Sequence, residues 1–211
     1  MKRFQVIAFL LACTCISLVS CGETEEFDDH ANWKKRNAAF IDSIAGVCAS
    51  NSQAYSSIEE IPVGKMFRVL SFKMNPEKQW GNSSYIYCVV LSKGDPTVES
   101  PQYSDSVRIN YRVRLIPTDN YPEGQVIDQS YKTDRLDPEI NIPSSFVLSS
   151  LIDGVSTALM HMHPGDFWRV YIPYGLGYGT STRNSIPGYS SLIYEINLAE
   201  SARAGKSLSP R

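Results

Sequence analysis

The chemistry in this 211-residue chain is conspicuous for what it lacks. Its only histidines are His30, His161 and His163, and no Ser-His-Asp order, G-x-S-x-G elbow, H-E-x-x-H pair or phosphate-cradling glycine loop occurs. Met160-His161-Met162-His163 offers soft ligands, but on a helix successive side chains point about 100° apart and do not converge on one ion. No metal and no cofactor is expected. What remains is a set of hydroxyls and carboxylates among apolar residues. Tyr178 stands between Gly177 and Gly179, which let the backbone turn and present an aromatic hydroxyl to a pocket.

Composition sets the frame. At 43% hydrophobic and 20% charged residues, the chain is neither a disordered tail nor a polytopic membrane protein. Its length allows one domain with a real core plus an extension. A formal net charge of −2 with no basic cluster argues against a nucleic-acid partner.

The N-terminus reads as an address. Lys2 and Arg3 precede an uncharged, mostly apolar run from Phe4 to Val19, too short for a stable span, which marks residues 1–20 as a secretory signal. Leu18-Val19-Ser20-Cys21 resembles a bacterial lipobox, which implies cleavage before Cys21 and acylation of that cysteine. Residues 21–29 then form a short acidic tether, and Gly22 after the cysteine resembles lipoproteins sent on to the outer membrane, on its periplasmic face or at the cell surface. Once Cys13 and Cys15 leave with the signal, Cys48 and Cys88 are left as either a disulfide or two separately buried thiols.

The elements follow from periodicity. Asp28 or Asp29 caps a helix expected over residues 30–51, with Trp33, Phe40, Ile44, Val47 and Cys48 on one stripe. That stripe docks either on the main domain or on a second copy, which would make a homodimer. Residues 30–80 are read as an N-terminal helical extension with one strand near 65–72. From residue 83 the period changes to two. Tyr85–Leu91 alternates, and Val107–Leu115 sets Val107, Ile109, Tyr111, Val113 and Leu115 against Arg108, Asn110, Arg112 and Arg114, a strand with one wet face. A helical pattern over Ile152–Met162 and strands at Phe167–Ile172 and Leu192–Leu198 complete an α+β domain over residues 83–200 with a mostly antiparallel sheet. Residues 201–211 are read as a flexible tail.

The ordered motifs of residues 85–198 resemble the FKBP-type peptidyl-prolyl cis-trans isomerases. Tyr85-Ile-Tyr-Cys-Val-Val-Leu-Ser-Lys-Gly94 is similar to the leading strand and glycine turn, and Asp105-Ser-Val-Arg-Ile-Asn-Tyr111 to D-x-V-x-V-x-Y. Gly124-Gln-Val-Ile-Asp-Gln-Ser130 corresponds to G-x-x-F-D-x-S, and Phe146-Val-Leu-Ser-Ser-Leu-Ile-Asp-Gly154 to the helix entry. Ala158-Leu-Met-His-Met162-His-Pro-Gly165, Ile172-Pro-Tyr-Gly-Leu-Gly-Tyr178-Gly179, Ile186-Pro187 and Leu192-Ile-Tyr194-Glu-Ile-Asn-Leu198 follow in the family's order. The resemblance implies an antiparallel half-barrel sheet wrapped around one short helix, with an apolar pocket between them. It implies catalytic roles for Tyr111, Asp128, the Ile152 backbone N–H and Tyr178, and a substrate pocket of Ile127, Phe146, Leu151, Val155, Ile186 and Tyr194. The implied substrates are proline-containing unfolded or exported polypeptides, and the implied activity assists their folding. The alternatives are an FKBP-like binding or chaperone lipoprotein with little isomerase activity, or an accessory lipoprotein that uses the domain as scaffold. Two departures stand out: Val155 occupies the floor position where the family usually has Trp, and Ile127 replaces the aromatic before the aspartate.

Overall fold

A computed structural model describes residues 28–50, 55–137 and 140–210. The signal, Cys21 and most of the acidic tether lie outside them. The elements, in chain order, are helix α1 (Trp33–Ser50), strands β1 (Met66–Leu70), β2 (Tyr85–Ser92), β3 (Ser106–Arg114), β4 (Val126–Gln129) and β5 (Ser144–Val147), helix α2 (Asp153–Leu159), and strands β6 (Phe167–Ile172) and β7 (Leu192–Ala202). The strands form one sheet in the order β1-β2-β6-β7-β3-β4, with β5 also paired to β3, and every pairing is antiparallel. The fold is therefore the α+β open sheet around one short helix, with an N-terminal helix added.

Strand β2 shows why the two helices sit where they do. Ile86, Cys88 and Val90 belong to the main core with Val155, Ala158 and Leu159 of α2. Tyr87, between them, packs with Ile41, Ala45 and Cys48 of α1. Alternate side chains of a strand face opposite ways, so β2 is covered on both faces, which accounts for its unbroken apolar run. Helix α2 lies tight on β6: a Cβ at Gly154 would stand 2.4 Å from Cγ2 of Ile172, so only glycine permits that approach.

The buried face of α1 is Trp33, Asn37, Ile41, Ala45 and Cys48, whereas Val47, placed on the stripe by periodicity, is 44% exposed. The difference is one polar residue. Asn37 is fully buried because its amide donates to the Trp33 carbonyl (2.8 Å) and accepts the Ser191 N–H (2.6 Å). Asp28 does not cap α1 itself; its Oδ1 accepts the His30 N–H of the preceding turn (2.8 Å). The apolar face of α1 is thus spent on its own sheet.

Two boundaries and one strand face differ from the expectation. Strand β1 pairs with β2, so part of residues 30–80 belongs to the sheet rather than to a helical extension. Strand β7 runs to Ala202, and the chain beyond it is held: Arg203 pairs with the buried Asp105 (2.7 Å) and the Ser209 N–H reaches Glu200 (2.6 Å). The polar face of β3 is not wet. Asn110 is buried beside Asn197 of β7, to whose Oδ1 it donates (3.3 Å), and Arg112 is buried because residues 131–134 fold over it: Arg112 donates to Gln129 Oε1 and to the carbonyls of Asp134 and Thr133, and stacks on Tyr131. Cys48 and Cys88 are separate buried thiols.

Candidate active site

Between the sheet and α2 opens a cavity of about 350 Å³. Its lining comes from most of the fold: Ile109 and Tyr111 on β3, Asp128 on β4, Phe146 on β5, Ser150, Leu151 and Ile152 on the turn into α2, Val155 on α2, Tyr178 and Arg183 from the β6–β7 connection, and Tyr194 on β7.

The wall is aromatic. Tyr111 meets Phe146 edge-on (centroids 6.0 Å apart, planes at 66°) and lies tilted beside Tyr194 (6.4 Å, 34°). This geometry fixes the rings by their edges and faces. The Tyr111 hydroxyl donates to Asp128 Oδ2 (2.9 Å), and Oδ1 of the same carboxylate accepts the Gln129 N–H (2.8 Å). Both carboxylate oxygens are therefore aimed. Burial pushes the Tyr111 phenol well above its usual range, and its hydrogen bond to the Asp128 carboxylate raises it further. Tyr194 is also raised, first by burial and then by its proximity to Tyr178. Both phenols remain neutral donors at ordinary pH.

Val155, 2% exposed, forms the floor. Ile152 precedes the first residue of α2 in extended conformation, and its own N–H donates to no group among the described residues. Tyr178 is placed by the turn Tyr174–Leu176, closed by the Gly179 N–H on the Tyr174 carbonyl (2.9 Å). Gly179 takes φ +76°, the left-handed region, while Gly177 does not; its role is packing, since a Cβ there would meet Leu192 at 3.3 Å.

Eight of the ten expected site residues line the cavity. Ile127 and Ile186 do not. Pairing along β4 shifts from Val113↔Asp128 to Arg114↔Val126, leaving Ile127 in a bulge where it packs against the core. Ile186 is bridged to Arg183 and also packs on the core. Sequence reasoning missed Ile109, Ser150 and Arg183. Ile109 was available, being two residues before Tyr111 on the same strand face. Arg183 sits in a polar loop without periodicity, so nothing in the pattern singled it out.

Chemically, the cavity lining includes no histidine and no cysteine, so it holds no Ser-His or Cys-His pair. Its one aliphatic hydroxyl, Ser150, donates to the Val147 carbonyl (2.7 Å). Among the described residues no three histidine, cysteine or carboxylate groups gather for a metal. The cavity therefore combines an apolar floor and aromatic walls with hydroxyl donors, one carboxylate and one guanidinium at its rim. Residues 97–199 match the family of FKBP-type peptidyl-prolyl cis-trans isomerases, and this domain of the chain belongs to that family. The chain is 37% identical over 101 residues to the peptidyl-prolyl cis-trans isomerase Mip of Coxiella burnetii, covering 47% of this chain and 38% of that protein. It is 31% identical over 129 residues to the FKBP-type 22 kDa peptidyl-prolyl cis-trans isomerase of Escherichia coli, covering 60% of this chain and 55% of that one. To the outer membrane protein MIP of Legionella longbeachae it is 31% identical over 109 residues, covering 51% and 41%. A solved peptidyl-prolyl cis-trans isomerase from Pseudomonas syringae superposes with a TM-score of 0.49 at 23% identity, over 79% of this chain and 96% of that chain. The chain spans about half the length, or less, of the curated relatives it matches.

Proposed function

We propose that this protein is a peptidyl-prolyl cis-trans isomerase acting on proline-containing segments of unfolded or exported polypeptides. The single observation that carries the reading is the Tyr111–Asp128 hydrogen bond (2.9 Å), set in the wall of a cavity with an apolar floor and no Ser-His or Cys-His pair. Rotation about an X–Pro amide faces a barrier of about 18–20 kcal/mol because resonance must be lost. Left alone, it takes tens of seconds or longer. The prolyl ring rests on Val155 between Phe146 and Tyr194. The Ile152 N–H and the Tyr178 hydroxyl each hold a substrate carbonyl, and Asp128, steadied by Tyr111, faces the prolyl carbonyl. Removing water from the amide favours the twisted form, which has lost its charge separation, over the planar one. No proton changes hands.

The same reading extends to location. Residues 1–20 act as a secretory signal and Cys21 carries lipid, so the domain works tethered to a bacterial membrane, the outer membrane in this proposal. The relative named an outer membrane protein supports that assignment. No described helix is long and apolar enough to cross a membrane. A homodimer through α1 is not part of the proposal, because the helix's apolar face packs on its own sheet.

The test is two-dimensional exchange NMR on a Leu-Pro peptide with the purified chain. Accelerated cis-trans exchange, abolished by a competing ligand of the cavity, is expected. Binding of the peptide without faster exchange would favour the alternative, a chaperone-like binding domain.

A further inference from the structure

The β6–β7 connection carries an arginine that no part of the isomerase reading uses. Arg183 and Ile186 exchange two backbone hydrogen bonds (3.0 and 2.8 Å), closing a tight turn with Asn184 at φ +50°. The base of the loop is fixed as well. The Tyr189 N–H donates to the Gly179 carbonyl (2.9 Å), and Ser190 and Ser191 are bonded to Trp33 and Asn37 of α1 (2.8 and 2.6 Å). A loop held at its tip and its base presents its side chains in a set direction.

The Arg183 guanidinium lines the cavity, 5.8 Å from the centroid of the Tyr178 ring. It has no carboxylate partner among the described residues, whereas Arg108, Arg114, Arg169 and Arg203 are each paired with one. An arginine left unpaired at the mouth of a cavity offers planar, bidentate recognition to an incoming carboxylate. The other charge of the cavity, Asp128, already accepts from Tyr111 and Gln129.

We infer that Arg183 reads the residue immediately before the proline and gives the cavity a preference for an acidic side chain there. The inference rests on the isomerase reading above. With the prolyl ring on Val155, the preceding residue's side chain must leave the floor toward the rim. Its carbonyl is held by Tyr178, the residue over whose ring Arg183 stands. A carboxylate at that position meets the guanidinium, and an ammonium there is repelled.

The experiment uses the full chain in detergent micelles and four peptides differing only in the residue before proline: Glu, Gln, Leu and Lys. Exchange NMR gives kcat/KM without a coupling protease. Glu is expected to exceed its uncharged isostere Gln by about three- to fivefold, the scale of a solvent-exposed ion pair, with the gain in KM. The gain shrinks at about 0.5 M salt. Arg183→Gln brings the Glu-to-Gln ratio to one, and Arg183→Glu shifts the preference to Lys. A ratio of one in the wild type, or a ratio unchanged in Arg183→Gln, overturns the inference while turnover of the Leu peptide leaves the isomerase reading standing. Absence of turnover on all four peptides overturns that reading instead. Binding of the same peptides, followed by titration, then decides the Arg183 preference by the same ratios.

Discussion

The Tyr111 hydroxyl and Asp128 Oδ2 are 2.9 Å apart across two neighbouring strands, so a phenol on β3 sets the orientation of a carboxylate on β4. Removing that hydroxyl leaves Asp128 with the Gln129 N–H alone. Tyr111→Phe keeps the ring contacts with Phe146 and Tyr194, so thermal stability should hardly change. Loss of one hydrogen bond to an exposed carboxylate, about 1 kcal/mol, predicts a roughly fivefold fall in kcat/KM. Asp128→Asn should fall at least as far, and the double variant little further than Asp128→Asn, because the two groups act as a unit. Fully additive losses would show that they act separately.

Helix α1 reaches the site through Asn37, whose side chain joins the Trp33 carbonyl to the Ser191 N–H at the base of the Arg183 loop. Asn37→Ala leaves a buried donor unpaired, a loss of about 1–3 kcal/mol. Denaturant unfolding should show that loss, and amide exchange at Ser191 should accelerate. KM should rise as the loop loosens. An unchanged exchange rate at Ser191 would refute the clamp.

Much of this was readable from the sequence, and the failures share a cause. The strands at Phe167–Ile172 and Tyr85–Ser92 were legible because apolar alternation is a local property. The cover on Arg112 was not, since it comes from residues 131–134, brought back by a loop that carries no periodic signal. Burial of Asn37 was invisible for the same reason: its partner lies 154 residues away. Site residues on motif positions, such as Tyr178, could be named from the sequence; the bulge that holds Ile127 beside Asp128 could not, because it is a matter of strand register. Arg183 is a loop residue whose meaning is its position over Tyr178, and position is what a single sequence does not state.

Stability should decline in alkali in a defined window. Burial pushes the Tyr87 phenol up to about 12, and burial likewise raises Tyr111 and Tyr194. An unfolded tyrosine titrates near 10. A folded value above the unfolded one means the neutral phenol's contribution is complete below about pH 10 and is lost as pH rises through the folded value. The buried thiols Cys48 and Cys88, also raised by burial, start the decline near their unfolded value of about 8.5. Urea midpoints measured upward from pH 8 should fall, and Tyr87→Phe should flatten the limb between about pH 10 and 12. An unaltered slope in that variant would mean Tyr87 ionises as freely folded as unfolded.

In the proposed location, the sulfur and the new amino group of Cys21 take the acyl chains. Several acyl chains hold a domain on a bilayer where one is marginal. Cys21→Ser should therefore either release the domain from membranes or leave the signal uncut, read by detergent-phase partition and by mass. Normal processing with undiminished membrane association would exclude lipidation at this residue.

The floor of the cavity allows the most direct gain of function. Val155 is 2% exposed and lies beside Gly154, whose missing Cβ lets α2 press against Ile172. The helix has no room to retreat toward β6, so a larger side chain at residue 155 must grow into the cavity of about 350 Å³. Where the family usually has Trp, Val leaves about 40–60 Å² of a prolyl ring without apolar contact, worth about 1–1.5 kcal/mol or roughly tenfold in affinity. Wild type should accordingly bind macrolide ligands of the family weakly and turn over peptides modestly. Val155→Trp should tighten macrolide binding by about tenfold in calorimetry and raise kcat/KM. The opposing effect is overpacking, about 1–3 kcal/mol when a core has no space, and it would appear as a lowered Tm. Tight macrolide binding by the wild type, lost in a still-folded Trp variant, would mean that another side chain already forms the floor.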